Sequence, residues 1–112
     1  MGIEHVRLSY LYLDEGDIDG YLSLLSADVS LHLPGEAEIR GRERIAAFHA
    51  QPTLLDANHL IRHVIGSGNL VAVEGRYQSG RITQGVDFTD VFSLTGEALL
   101  RSKKRFYFVP VR

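Results

Sequence analysis

The hydrophobic period changes midway along this chain, and that change limits the folds open to it. Up to about residue 50 apolar side chains mostly return at the spacing of helices. Ile3, Val6, Tyr10 and Leu13 form one helical stripe, and Leu8, Leu11 and Tyr12 form a second. The spacing predicts a helix over 3–14, apolar on two sides and so sandwiched within the fold. Gly16 suits its C-terminus, and Asp17 can cap a second short helix bearing Ile18, Tyr21, Leu22 and Leu25. Val29, Leu31 and Leu33 alternate as a strand that stops at Pro34-Gly35. Residues 42–50 read as helix, with Ile45, Phe48 and His49 on one side. Beyond them the alternation is that of strands, over 60–65, 70–78, 83–94 and 98–109, with turns at 66–69, 79–80 and 95–96. Helices first and a meander second predict an α+β fold: a strongly curved antiparallel sheet wrapped around N-terminal helices. Such a sheet, closing over the first helix, makes a cone with one deep pocket.

Length and composition fit one such unit. The 112 residues are predicted to form a single domain, 1–112, with 45% hydrophobic residues to fill a core. Cysteine is absent, which excludes disulfides, thiolate metal sites and cysteine nucleophiles. No apolar run reaches the ~18 residues of a membrane span, and the first ten residues lack a signal-peptide layout, so a soluble, cytoplasmic protein is expected. The net charge of −2 gives no pull toward nucleic acid or membrane. It hides a split: residues 1–56 hold 10 acids and 4 bases, and residues 57–112 hold 4 acids and 8 bases.

The informative polar residues lie on apolar strand faces. Asp90 shares a face with Val86, Phe88, Phe92 and Leu94. A carboxylate there is costly unless paired, which makes it a candidate acid, base or hydrogen-bond donor, or else a structural carboxylate. In the last strand Leu100, Ser102, Lys104, Phe106 and Phe108 form the more apolar face, expected to point inward. A three-residue loop at 95–97 then sets Asp90 opposite Ser102, with Lys104 diagonal to it, and an internal Asp90–Ser102–Lys104 cluster is expected. A register pairing Asp90 with Arg101 buries more charge and is disfavoured. His59 and His63 fall in a strand, on one face with Ile61 and Ile65, and so do not form a helical metal pair. No metal motif, phosphate loop or nucleophile elbow is present, and no metal or cofactor is expected.

Two stretches carry a resemblance. One is Asp14-Glu15-Gly16-Asp17-Ile18-Asp19-Gly20 followed by Ser26-Ala27-Asp28-Val29. The other is His32-Leu33-Pro34-Gly35, then Arg40-Gly41-Arg42-Glu43-Arg44-Ile45 and Phe48. With Phe88-Thr89-Asp90-Val91-Phe92 and an aromatic-ended final strand, their order resembles the SnoaL-like, polyketide cyclase-like group of the nuclear transport factor 2-like superfamily. The resemblance implies a cone-shaped sheet, an apolar pocket and a homodimer through the sheet. It does not imply one reaction, because isomerases, cyclases, dehydratases and binding domains share the fold. Aligned on Gly16-Asp17, the oxyanion tyrosine of the ketosteroid isomerases falls at Ser9, beside Tyr10, and their base falls at Leu33. Their protonated aspartate falls at Asp90 and a supporting tyrosine at His49. Where related epoxide hydrolases and cyclases carry an acid, this chain has Lys103-Lys104-Arg105.

The expectation is therefore a protein binding an apolar, carbonyl-bearing small molecule. If catalytic, it works without a cofactor, by proton transfer next to the carbonyl: isomerisation, cyclisation or dehydration. Asp90 and His32 are the candidate catalytic residues. Tyr10, Tyr12, Leu33, Phe48, His49, Phe88, Ser102, Lys104 and Phe106 are the candidate pocket residues. The alternative is a non-catalytic ligand-binding or dimeric interaction module that keeps the pocket and has lost the catalytic set. A basic strand face of Arg101, Lys103 and Arg105 is a weak fit to nucleic acid, lacking interleaved aromatics.

Overall fold

A computed structural model describes residues 2–54, 56–80 and 82–108. The chain runs α1 (Gly2–Asp14), α2 (Ile18–Leu22), β1 (Leu25–His32), β2 (Ile39–Arg40), α3 (Arg42–His49), a 3-10 turn (Pro52–Leu54), β3 (Asn58–Ser67), β4 (Leu70–Gln78), β5 (Val86–Leu94) and β6 (Leu100–Phe108). The strands form one open sheet in the order β2-β1-β6-β5-β4-β3. The α+β architecture expected from the change of period is present. Two features were not in that expectation: the two-residue β2, and a parallel β1–β6 pairing in a sheet otherwise antiparallel. The expected end of the last strand at Val109 lies outside the described residues.

α1 lies across the inner face of the sheet. Its Tyr10 ring sits 5.9 Å from Phe92 and 6.1 Å from Phe88 of β5, and 4.9 Å from His59 of β3. Val6, Tyr10 and Leu13 are buried, whereas Leu11 is half exposed. The expectation of a helix buried on two sides is thus corrected: the second stripe covers the rim of the core, with Leu8 and Tyr12 packed against its edge. Gly16 closes the helix at φ 73° and Asp17 Oδ1 accepts the Gly20 N–H at 2.9 Å, as their residue types predicted. α3 starts at Gly41, and Arg42 ties it to the sheet by donating from Nε and Nη2 to the Leu25 carbonyl at 3.0 and 2.6 Å.

Two bulges decide which side chains enter the core. In the β5–β6 hairpin Leu94 faces Leu100, but Ser93 faces Ser102, so Arg101 is the extra residue. The turn occupies 95–99, with Thr95 N–H donating to the Leu99 carbonyl at 2.8 Å and Ala98 at φ 65°. Past the bulge the faces of β6 exchange. Lys103 and Arg105 point inward; Ser102, Lys104 and Phe106 point outward. This corrects the expected three-residue loop and the inward placement of Ser102, Lys104 and Phe106. The apolar tally of the two faces misled because a one-residue insertion reverses every later side chain. The second bulge, between Ile61 and His63 in β3, turns His59 inward and leaves His63 outside, bonded to Glu74 at 2.9 Å. The two histidines expected on one face therefore lie on opposite faces.

Candidate functional site

Asp90 is fully buried on the inner face of β5, opposite Arg105. Arg105 Nε donates to its Oδ1 at 2.8 Å and Nη2 to its Oδ2 at 2.7 Å, a bidentate pair. The Tyr10 hydroxyl donates to Oδ2 at 2.6 Å, and Lys103 Nζ stands 3.7 Å from the same oxygen. Burial pushes the Asp90 carboxyl up, but Lys103, Arg105 and the hydrogen bonds outweigh it and hold it below its ordinary value. Asp90 is therefore an ionised carboxylate with both oxygens engaged. The expected Asp90–Ser102–Lys104 cluster gives way to Asp90–Arg105–Tyr10–Lys103.

Beside this cluster, between the end of β1, α3, and β3, β4 and β6, lies a cavity. Its atom-free space of about 740 Å³ includes open solvent at the mouth. Leu31, Leu33, Phe48, Leu54, Tyr77, Ile82 and Tyr107 supply apolar walls, and Lys103, Arg105, His49, His59, Glu36 and Ser79 supply the polar groups. Asp90, Tyr10 and Phe88 stand behind this wall rather than in it. Of the expected pocket residues, Leu33, Phe48 and His49 line the cavity. Tyr12 packs at the core's edge. His32, Lys104 and Phe106 border a second, more open hollow that shares Leu33, Pro34, Arg105 and Tyr107 with the cavity, and His32 Nε2 lies 3.7 Å from Glu38. The expected catalytic pair, Asp90 and His32, is thus not brought together.

The site residues missed from the sequence are His59, Asp14, Lys103 and Arg105. Asp14, the last residue of α1, receives both the His59 backbone N–H at 2.9 Å and its Nδ1 at 2.6 Å. Burial raises the Asp14 carboxyl to about 6. Burial, aided by Arg105 and Lys103, lowers His59 well below its ordinary value, and it also brings His49 down to about 3. Both imidazoles are neutral at pH 7. With Asp14 ionised, His59 Nδ1–H is the donor, so its Nε2 carries the lone pair. The Nε2 atoms of His49 and His59 are buried without a hydrogen-bond partner. One signal in the sequence pointed to the cations: a carboxylate between two phenylalanines needs a buried positive partner, and β6 offers Lys103 and Arg105 on one face. The Asp14–His59 contact has no sequence signal, because 45 residues separate the two. Among the described residues no group of three His, Asp or Glu side chains is placed to hold a metal, and no helix is long and apolar enough to cross a membrane.

The SnoaL-like domain model matches residues 6–101, most of the chain. This protein belongs to the SnoaL-like domain family. No curated protein matches it closely in sequence. Solved structures similar to this SnoaL-like chain show the nuclear transport factor 2-like fold. An NTF-2 like protein of unknown function from Burkholderia xenovorans superposes with a TM-score of 0.82 at 16% identity, covering 99% of this chain and 85% of its own. The epoxide hydrolase/cyclase-like enzyme SalBIII gives 0.83 at 18%, covering 96% and 91%. TerC, co-crystallised with polyporic acid, gives 0.82 at 24%, also covering 96% and 91%.

Proposed function

We propose that this SnoaL-like protein binds a small carbonyl compound in the cavity and moves a proton next to that carbonyl, as a cofactor-independent isomerase, cyclase or dehydratase. The observation that carries the reading is the neutral His59 imidazole. It is braced by Asp14, and its unpartnered Nε2 belongs to a side chain lining the cavity, in company with Lys103. His59 Nε2 takes the proton from the carbon beside the carbonyl, and the imidazolium so formed is stabilised by Asp14. The negative charge moves to the carbonyl oxygen, where the Lys103 ammonium and the Arg105 field favour it. The same proton, returned to another carbon or to a leaving hydroxyl, gives isomerisation or dehydration. Asp90 then acts as a positioning residue that holds the cations, and His32 takes no part. The fold neighbours support small-molecule chemistry of this general kind, since one was crystallised with polyporic acid and another is an epoxide hydrolase/cyclase-like enzyme.

The test is exchange of α-hydrogens for deuterium, followed by NMR on a panel of cyclic and aryl ketones. Exchange above the buffer rate is expected, with an acid limb near pH 6 that belongs to the Asp14–His59 pair. His59→Gln should lower the rate at least about 100-fold, the usual worth of a general base. If no panel member exchanges while several bind saturably, the binding-module reading replaces this one. The locked Asp90–Arg105 pair is the observation favouring that alternative.

The outer face of the sheet supports a homodimer. Leu60, Ile65, Leu70, Phe106 and Phe108 are exposed there around the ion pairs of Arg62, Glu74, Arg76 and Asp87, a mixed apolar and charged face suited to a second copy of itself.

A further inference from the structure

The cavity wall contains one primary amine. The chain has only two lysines, adjacent in sequence, and the alternation of β6 sends them to opposite faces. Lys104 is exposed on the outer face. Lys103 is buried and lines the cavity. Its Nζ lies 3.7 Å from Asp90 Oδ2, longer than a good hydrogen bond, and that oxygen already accepts from Tyr10 and Arg105. Its other close neighbours are ring faces: the Tyr10 centroid at 5.0 Å and the Phe92 centroid at 5.6 Å. The His59 ring packs on that same Tyr10, 4.9 Å between centroids. A buried amine with unfilled hydrogen-bonding capacity and an imidazole with a free lone pair thus flank one tyrosine and border one cavity.

Lys103 and Arg105 together hold the Asp90 charge, but Arg105 makes the two short contacts, so the Lys103 amine keeps donors to spare. A guanidinium stays charged at any physiological pH, whereas an amine can lose its proton and attack. Burial lowers Lys103 to about 8; Asp90 opposes that shift and the like charge of Arg105 adds to it.

We propose that Lys103 is a covalent amine catalyst, condensing through Nζ with a ketone or aldehyde carbonyl of the bound ligand to form an iminium ion. The proposal rests on the reading of the cavity as a site for carbonyl compounds. The ammonium first gives one proton to solvent at the mouth of the cavity. The neutral amine attacks the carbonyl carbon, an N–C bond forms as the C–O π bond opens, and a proton passes from the nitrogen to the oxygen to give the carbinolamine. The hydroxyl takes back a proton from solvent, and the nitrogen lone pair expels it as water. In sum, ammonium and carbonyl become iminium and water, with one positive charge on each side. The iminium acidifies the neighbouring C–H, and His59 Nε2 removes that proton to leave a neutral enamine. Reprotonation and hydrolysis by water release the product carbonyl and regenerate the lysine.

The probe is 2,4-pentanedione, which converts a nucleophilic amine into a conjugated enaminone with loss of one water. Incubation of the wild-type protein should produce the enaminone absorption and a mass gain of one diketone less one water. Peptide mapping should place it on Lys103, formed at least about tenfold faster than on Lys104, the neighbouring control. Lys103→Arg keeps the charge and should abolish the fast phase. Labelling of Lys104 alone, or equal rates at the two lysines, overturns the proposal, and this map on wild-type protein needs no variant to fold. Wild-type-like deuterium exchange by folded Lys103→Arg also overturns it while leaving the proton-transfer reading intact. A Lys103 adduct without any exchange on the ketone panel keeps the amine chemistry and removes the proton-transfer reading.

Discussion

At the scale of single residues, Asp90 holds the core's charges together. Three groups from two other elements converge on it, so removing its charge strands two buried cations. Asp90→Asn is expected to cost about 3–5 kcal/mol, because breaking a buried pair exposes the desolvation of the survivor. Urea unfolding measures this, and a midpoint equal to wild type would show that the pair adds nothing. Tyr10→Phe, which deletes one charged hydrogen bond, should cost about 2 kcal/mol in the same assay. The buried histidines set the acid limit. His49 and His59 are held neutral, so the unfolded chain binds more protons than the folded one below their ordinary value of 6.5. Their contribution is full above pH 6.5 and falls as the pH drops, by about 1.4 kcal/mol per unit for each histidine. Asp14 runs the other way: its raised carboxyl favours the folded state as the pH falls through about 6. Two histidines against one carboxyl leave net acid lability below pH 6.5. His49→Phe should remove about one proton's worth of that slope in urea titrations between pH 5 and 7.5, and an unchanged slope would contradict the burial of His49 as a neutral ring.

At the scale of elements, the periodicities located the helices and the four long strands, because side-chain spacing follows directly from 3.6-residue and two-residue repeats. Face assignment failed in β6 and β3 for one shared reason. Each strand carries a bulge, after Arg101 in one and around Arg62 in the other, and local sequence does not mark a bulge made of ordinary residues. Asp90 is buried, yet its partners differ from the expected ones because the face of β6 richer in apolar residues is not the inner one. Burying a carboxylate obliges the fold to bury cations with it, and that requirement outranks the tally of apolar residues. The β3 bulge also has a steric counterpart in β4. A Cβ on Gly75 would lie 2.1 Å from the Leu60 carbonyl oxygen, so the two strands approach closely at the bend. Gly75→Ala is expected to destabilise by about 3 kcal/mol, read as a shift in urea midpoint. Wild-type stability in that variant would mean that the bend relaxes freely.

At the scale of the whole molecule, the charge split of the sequence becomes a separation between elements. Acids dominate the helical half, and the basic excess belongs to the sheet, where Lys103 and Arg105 enter the core rather than solvent. The proposed dimer places a test on the opposite face: Phe106→Glu should shift the protein from dimer to monomer in sedimentation velocity at micromolar concentration, and a wild-type monomer would remove the dimer altogether. The chain by itself determined the α+β class, the SnoaL-like kinship, the two caps around Gly16 and Asp17, and the presence of a charged group in the core at Asp90. These are local or periodic properties, set by neighbours within a few residues. Tertiary structure alone decided which cations meet Asp90, that Asp14 and His59 form a pair across 45 residues, and that His49 and His59 share a cavity with Lys103. Those contacts depend on strand register, and a single inserted residue reverses register without leaving a trace in hydrophobic pattern.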